Sequence, residues 1–426
     1  MKPRFNVGWI VLLIFLGTMT NYMDRVNISL AAPVMVKEAG WSTVTLGVVL
    51  SSFFWGYFLL QIPGGWLADR FGGRRIMTVT GYLWAVFTAA TAVSASSLPV
   101  LTGVRAGLGA AEAANFPAGT SIVARWLPRS VTARMQALNQ SAIALGPLIA
   151  TPLSVFLITT WGWPSIFYVF AIISLVWATV WWVVTKRAGL PDIPEKQPEA
   201  VAQPVIPDFL DQPFKSLEVW GSSMAWYADS YVFYFLLTFM PTYFVQAQHV
   251  PLQELALLGT VPWAVLFVMM NVAGWIVDTV GRVSAHGIFW RRMMYAGGFV
   301  WAAAFMMLAK GATNANSAVV LISLALAGLA FVWPVGWSLP VVYARSKAGL
   351  LSGFMNSWGQ VAGILAPIIT GAAVAGGHWG NAFLWVVGFA LLGAVLVAGT
   401  SRWSTDAAFR AKFPPSPEAA SKPAVA

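Results

Sequence analysis

The chain predicts an all-α polytopic membrane protein of twelve transmembrane helices, grouped as two six-helix bundles with both termini in the cytoplasm. Three observations carry that expectation. First, 58% of the 426 residues are hydrophobic and only 9% charged, with a mean hydropathy of +0.71, whereas soluble domains carry about 25% charged residues. A soluble fold of this length has no interior large enough for so much apolar surface, and helices satisfy their own backbone in lipid. Second, the apolar sequence divides into runs near 8–31, 43–67, 76–94, 98–124, 134–158, 163–185, 219–246, 253–276, 291–309, 316–343, 348–373 and 379–401, each close to the ~20 residues that cross a bilayer. Third, basic residues gather at the ends of these runs. Of 25 Lys and Arg, Arg25 and Arg105 fall inside runs, Lys37 and Lys310 in odd-numbered loops, and the other 21 at the termini, in even-numbered loops or at adjoining helix ends. The positive-inside rule then places the termini and even loops in the cytoplasm. This placement accounts for the net charge of +10 without a nucleic-acid partner.

Taken in order, the first run follows Lys2 and Arg4 without a cleavage motif and reads as a spanning helix, not a signal peptide. Residues 1–185 form the N-terminal six-helix bundle. The stretch 186–218, with prolines at 191, 194, 198, 204, 207 and 213, reads as a cytoplasmic linker. Residues 219–401 form the second bundle, and the Pro/Ala-rich 402–426 reads as a disordered tail. The halves echo each other: Gly65-Trp66-x-x-Asp69-x-x-Gly72 recurs as Gly274-Trp275-x-x-Asp278-x-x-Gly281. A repeat of this kind suggests two bundles rocking about a central site near the midplane. The chain has no cysteine, and its three histidines (His249, His286, His378) are far apart, which argues against thiolate chemistry and a metal site. No nucleophile–base set or phosphate loop is visible, so an enzyme is the least favoured class.

Ionisable residues inside apolar helices are costly unless paired or facing a water-filled cavity, and they mark ion or substrate paths. Asp24 and Arg25 sit side by side in the first run. The arginine offers a fixed fork of donors that matches a carboxylate and stays charged. Asp24 projects about 100° away around the helix, as a counter-charge toward a neighbouring helix or as a titrating site. A purely structural ion pair is the competing reading. In the fourth run, Arg105 and Glu112 share one face seven residues apart, about 10 Å of rise, so a substrate, a water or another helix must bridge them. Glu112 lies about 14 residues into its run, and desolvation at that depth makes a carboxyl a candidate proton carrier. The surrounding Gly107, Gly109, Ala110, Ala111, Ala113 and Ala114 read as packing surface for a close neighbouring helix.

These residues resemble a known superfamily. Gly65-Trp66-Leu67-Ala68-Asp69-Arg70-Phe71-Gly72-Gly73-Arg74-Arg75 is similar to the loop signature of the major facilitator superfamily. Three further segments resemble its anion:cation symporter family: Asn21-Tyr22-Met23-Asp24-Arg25-Val26-Asn27, Arg105-x-x-x-Gly109-x-x-Glu112-Ala113-Ala114-Asn115-Phe116-Pro117, and Gly162-Trp163-x-x-x-Phe167. The likeness covers nearly all of the chain except linker and tail. It implies transport of an organic anion such as a hexuronate, aldonate or aldarate, with protons as the coupling ion and no other cofactor. It also implies a multi-pass protein of the bacterial inner membrane, and it links the positions of Asp24 and Arg25 to substrate and proton handling. The family commonly has Gly-Asn where this chain has Gly359-Gln360, which bears on the fit of a sugar acid.

The expected site is Arg25 and Arg105 as anion anchors and Asp24 and Glu112 as proton carriers. Tyr22, Tyr57, Gln140 (beside Asn139), Asn356 and Gln360 are readers of polar substituents, with interhelical hydrogen bonding as the competing role. Trp333 and Trp337, four apart on one face, are an expected aromatic wall. Asp229, near Tyr227, Tyr231 and Tyr234, reads as a second-half proton site or as a residue lining the cytoplasmic vestibule, the vestibule being favoured. Asp69, Arg70, Arg74, Asp278 and Arg282 at the cytoplasmic helix ends are an expected gate whose weak pairs break as the bundles rock. A proton-coupled importer fits best. An exporter or antiporter shares the fold, and a transport-dead sensor would not need Asp24 and Glu112. No partner protein is required, so a monomer in the bilayer is expected.

Overall fold

The computed structural model describes residues 7–126, 129–188, 212–283, 287–343 and 348–401. The tail, and the linker from 189 to 211, lie outside them. Among the described residues the protein is all-helical: α1 (Val7–Ala39), α2 (Thr43–Phe71), α3 (Gly73–Ser94), α4 (Leu98–Glu112), α5 (Asn115–Trp126), α6 (Arg129–Trp161), α7 (Pro164–Arg187), α8 (Leu217–Gln246), α9 (Leu252–Leu258), α10 (Val261–Val283), α11 (Gly287–Lys310), α12 (Ala315–Tyr343), α13 (Ala348–Ala373) and α14 (Trp379–Gly399).

Two of the expected runs are interrupted. The run 98–124 is divided between α4 and α5, and 253–276 between α9 and α10. A proline marks both. Its ring crowds the carbonyl four residues earlier and it lacks an N–H; Pro63, Pro147 and Pro367 sit inside continuous helices, whereas at these two breaks the helix restarts with the proline in its first turn. Pro117 faces the carbonyl of Ala113, just past the end of α4, and Pro262 faces that of Leu258, the last residue of α9. The first break immediately follows Glu112.

Among the described residues eight helical columns are long and apolar enough to cross a membrane: α2, α3, α6, α7, α9–α10, α11, α12 and α14. Those outside that set are α1, the α4–α5 column, α8 and α13. They carry Asp24 and Arg25, Arg105 and Glu112, Asp229, and Asn356 and Gln360 respectively. Polarity concentrates on the helices that turn inward.

Helices α1 to α7 pack chiefly on one another, as do α8 to α14, and the two groups meet where α2 crosses α13, α1 meets α8, and α6 meets α9 and α10. The α2–α13 seam is close at one end. Thr43 Oγ1 donates to the Gly371 carbonyl at 2.9 Å and Ser51 Oγ to that of Ile364 at 2.8 Å. A Cβ on Gly47 would stand 2.4 Å from the Pro367 carbonyl oxygen, so only glycine permits this approach. At the far end the helices diverge. Ile62 on α2 is 76% exposed, and Gly353, five turns along the same face of α13 from Gly371, has nothing within 4 Å. The molecule is a wedge closed at the Thr43–Gly371 end.

Candidate functional site

Arg25 is 5% exposed in the middle of α1. Its Nε donates to Glu112 Oε2 at 3.3 Å. The guanidinium lies over three rings, with centroids at 4.5 Å (Tyr57), 4.6 Å (Tyr22) and 5.3 Å (Phe53). These aromatic faces favour a cation and exclude water from it. Nη2 has no hydrogen-bond partner, nor has Glu112 Oε1. The helix that bridges to Glu112 is therefore α1, and Arg25's counter-charge is Glu112, not its neighbour Asp24. The local packing makes this contact possible. Glycines 56 and 109 bring α2 and α4 together backbone to backbone: a Cβ on Gly109 would meet the Phe53 carbonyl oxygen at 1.9 Å. The small residues of α4 thus serve the close approach expected of them.

Asp24 is fully buried and turned toward α7, where its Oδ2 accepts from Ser174 Oγ at 2.8 Å; its Oδ1 accepts from Asn27 Nδ2 at 3.4 Å. Trp177 and Trp84 stack beside it, with ring centroids 5.0 Å apart. Arg105 is 2% exposed and sits behind Phe53, 5.4 Å from that ring, with Nε and Nη1 unpartnered. The expected second anion anchor thus does not line the cavity described next, and Asp24 does not either.

That cavity lies where the two helix groups face each other and is small, about 50 Å³ of space open to the centre of a water-sized sphere. A single water needs about 10–15 Å³ on that measure, so it holds a few waters or a compact solute. Arg25, Tyr22 and Tyr57 form one wall, with Gln140 on α6; Asn356 and Gln360 on α13 and Trp333 and Trp337 on α12 form another. These residues are brought together from five helices. Asp229 is not in a vestibule. It is 1% exposed and lines the same cavity beside Trp226, Ser230, Phe233 and Tyr234 of α8. The physical reason is the rotation of α8, which turns residues 226, 229, 230 and 233 inward as one face. Trp226 and Phe233 escaped the sequence reading because aromatic residues in an apolar helix look like core. Their i, i+3, i+7 spacing about Asp229 was the available signal. Ser174 escaped because a lone serine in an apolar helix has many uses.

At the proposed gate, the side chains of Asp69, Asp278 and Arg282 lie outside the described residues. Arg70 is exposed and stacks over Trp66 at 5.1 Å, while the Arg74 carbonyl accepts from Trp181 Nε1 at 3.2 Å. These two are on the diverging end of the wedge. Among the described residues no cluster of His, Cys, Asp or Glu could hold a metal ion.

Comparison with known proteins follows this geometry. The chain matches the Major Facilitator Superfamily over residues 14–367. It is 34% identical over 406 residues to the chloroplastic sodium-dependent phosphate transport protein 1 of Arabidopsis thaliana, covering 92% of this chain and 79% of that one. It is 28% identical over 414 residues to a probable galactarate/D-glucarate transporter of Escherichia coli, covering 91% and 92%. Among solved structures it is similar to a bacterial homologue of the human lysosomal transporter Spinster, in an inward-facing and occupied conformation. That match has a TM-score of 0.74 and 16% identity over 93% of this chain and 98% of that one. The chain belongs to the major facilitator superfamily of membrane transporters, and is not an enzyme.

Proposed function

We propose that this protein is a proton-coupled carrier of an organic anion, working by alternating access as a monomer. Its twelve spans form bundles 1–185 and 219–401, joined by a cytoplasmic linker. In this reading the closed Thr43–Gly371 end faces outward and the diverging end, with Arg70 and Arg74, faces the cytoplasm. The observation that carries the proposal is the Arg25–Glu112 pair, 3.3 Å apart and buried, with Arg25 on the cavity wall.

The coupling follows from competition for one guanidinium. Ionised Glu112 occupies Arg25. A proton on Glu112 weakens that hold and frees the fork for a cargo carboxylate; a bound carboxylate in turn lowers the charge Arg25 offers Glu112 and favours the proton. Proton and anion therefore strengthen each other's binding, and linkage makes the effect reciprocal. Asp24, held by Ser174, is the second proton site. Moving one elementary charge against the membrane potential costs about 2.3 kcal/mol per 100 mV. A monoanion with one proton crosses without electrical work, and with two is pulled inward. Anion transport by the relatives supports the cargo class.

The test is uptake into liposomes with an inward proton gradient, screened across carboxylic acids, wild type beside Glu112→Gln. We expect accumulation that a protonophore abolishes, and a variant that exchanges cargo across the membrane but does not concentrate it. Unchanged uphill uptake in the variant would remove Glu112 from the coupling.

A further inference from the structure

Asp229 is the charge this mechanism does not use. Both of its carboxyl oxygens lack a hydrogen-bond partner although the residue is 1% exposed. From α12 the Trp333 indole faces it, yet Nε1 of Trp333 and Nε1 of Trp337 are unpartnered as well. From α13 come Asn356 and Gln360, from α11 Tyr295, and from its own helix Tyr234, which is within electrostatic reach of both Asp229 and Arg25. The cation among the residues that line the cavity is Arg25, already paired with Glu112.

A buried carboxylate without a partner is strongly unfavourable. Among the residues that line the cavity no cation stands beside Asp229, because Arg25 faces Glu112. A positive charge on the cargo supplies the missing partner, and the walls suit one. Trp226 lies edge-on to Trp337 at 5.3 Å and tilted to Trp333 at 5.9 Å, and Phe233 packs edge-on to Trp333 at 5.1 Å. Indole and phenyl faces are the surfaces that attract ammonium groups. The cavity is thus bipolar: a guanidinium at one wall, a carboxylate among aromatic rings at the other, over a span that admits only a compact solute.

We infer that the cargo is a small zwitterion, its carboxylate held by Arg25 and its ammonium or quaternary nitrogen held by Asp229 and the indoles of Trp226, Trp333 and Trp337. This rests on Arg25 as the carboxylate anchor given above; a zwitterion brings no net charge, so every proton carried with it moves one positive charge inward.

The test is equilibrium binding to the full-length purified protein with two matched pairs of carboxylates: trimethylglycine against 3,3-dimethylbutyrate, and β-alanine against 3-hydroxypropionate. Each pair keeps size and carboxylate and differs in the cationic nitrogen. Wild type should bind the nitrogen member of at least one pair about tenfold more tightly. Asp229→Asn should reduce that preference to about twofold or less, while Asp229→Glu keeps most of it; thermal unfolding confirms that both variants fold. Equal binding within both pairs, still dependent on Arg25, overturns the zwitterion and leaves the anion reading standing. Binding of no carboxylate at all overturns both. A preference unchanged in Asp229→Asn, with loss of proton-driven uptake, overturns the inference and makes Asp229 a proton site instead.

Discussion

The two sides of the central cavity, each taken with the residues packed behind it, are built on opposite plans. On the α1–α4 side, charge is dense and balanced: Arg25 holds Glu112 at 3.3 Å, and Asp24 is held by Ser174 at 2.8 Å. On the α8–α12 side a single carboxylate, Asp229, sits among tryptophans with no partner. Glu112 beside Arg25 and Asp24 beside Ser174 each keep a partner in reach when they gain or lose a proton. The unpartnered carboxylate waits for the ligand. In the proposed mechanism coupling belongs to the first wall and selectivity to the second. That division predicts that substitutions on the first wall change whether transport occurs, and on the second change what is transported.

Arg25 should produce the largest effect. Arg25→Ala removes the anion anchor and leaves Glu112 buried without its partner, a change that costs about 3–5 kcal/mol in buried pairs. Uptake should fall below detection and the melting temperature should drop. Arg25→Lys keeps the charge but not the planar fork, and should recover less than about a tenth of wild-type kcat/KM. Robust accumulation by Arg25→Ala would break the division between the walls.

Next is the pair of acidic residues. The steady-state accumulation ratio, plotted against the imposed pH difference, reads the number of protons carried with each cargo. The proposed two sites set that slope near two in wild type. Asp24→Asn should lower it by about one while leaving uptake measurable, because Ser174 Oγ can still satisfy an amide oxygen at that position. A slope that does not change would confine Asp24 to a structural role.

What the sequence made legible follows a physical rule. Helix ends were readable wherever an apolar run meets polar flanks: 348–373 coincides with α13, and 43–67 falls within α2. The breaks were not, because Pro117 and Pro262 lie inside runs whose hydropathy does not change across them. Tyr22, Arg25, Tyr57, Asn356 and Gln360 stood out as polar residues in apolar helices, and all line the cavity. Which of two arginines reaches it was hidden. That depends on how α1 and α4 are rotated about their axes, which leaves Arg105 against the Phe53 ring of α2 and out of the cavity lining. No single helix encodes such a relation. The same holds for Asp229, whose depth was readable but whose direction was set by the α8 face that its neighbours turn inward.

A smaller effect concerns the seam through which the two walls move against each other. Gly47→Val would place side-chain carbon where a Cβ already stands 2.4 Å from the Pro367 carbonyl oxygen. The closed end must part, and the wedge loses its preference for this state. The chain has no cysteine, so one reporter cysteine at Thr43 can be labelled cleanly. Labelling should speed up several-fold in Gly47→Val, with uptake reduced about fivefold, a bias of about 1 kcal/mol between states. Unaltered labelling would show that the Thr43–Gly371 end is not the outer gate.

The smallest effect belongs to the aromatic wall. Trp337 is packed edge-on against Trp226 at 5.3 Å, and its Nε1 has no partner within the protein. Trp337→Phe keeps most of the packing surface and removes the indole N–H together with part of the cation-attracting face. Because the N–H has no partner within the protein, its loss breaks no internal hydrogen bond; the effect falls on the bound state. A neutral hydrogen bond or a partly screened cation–π contact contributes about 0.5–1.5 kcal/mol, so KM should rise about two- to tenfold with kcat and the proton slope unchanged. That split separates the walls most finely. A fall in kcat, or a changed proton slope, would mean that the tryptophan wall takes part in coupling and that the two sides are not independent in function.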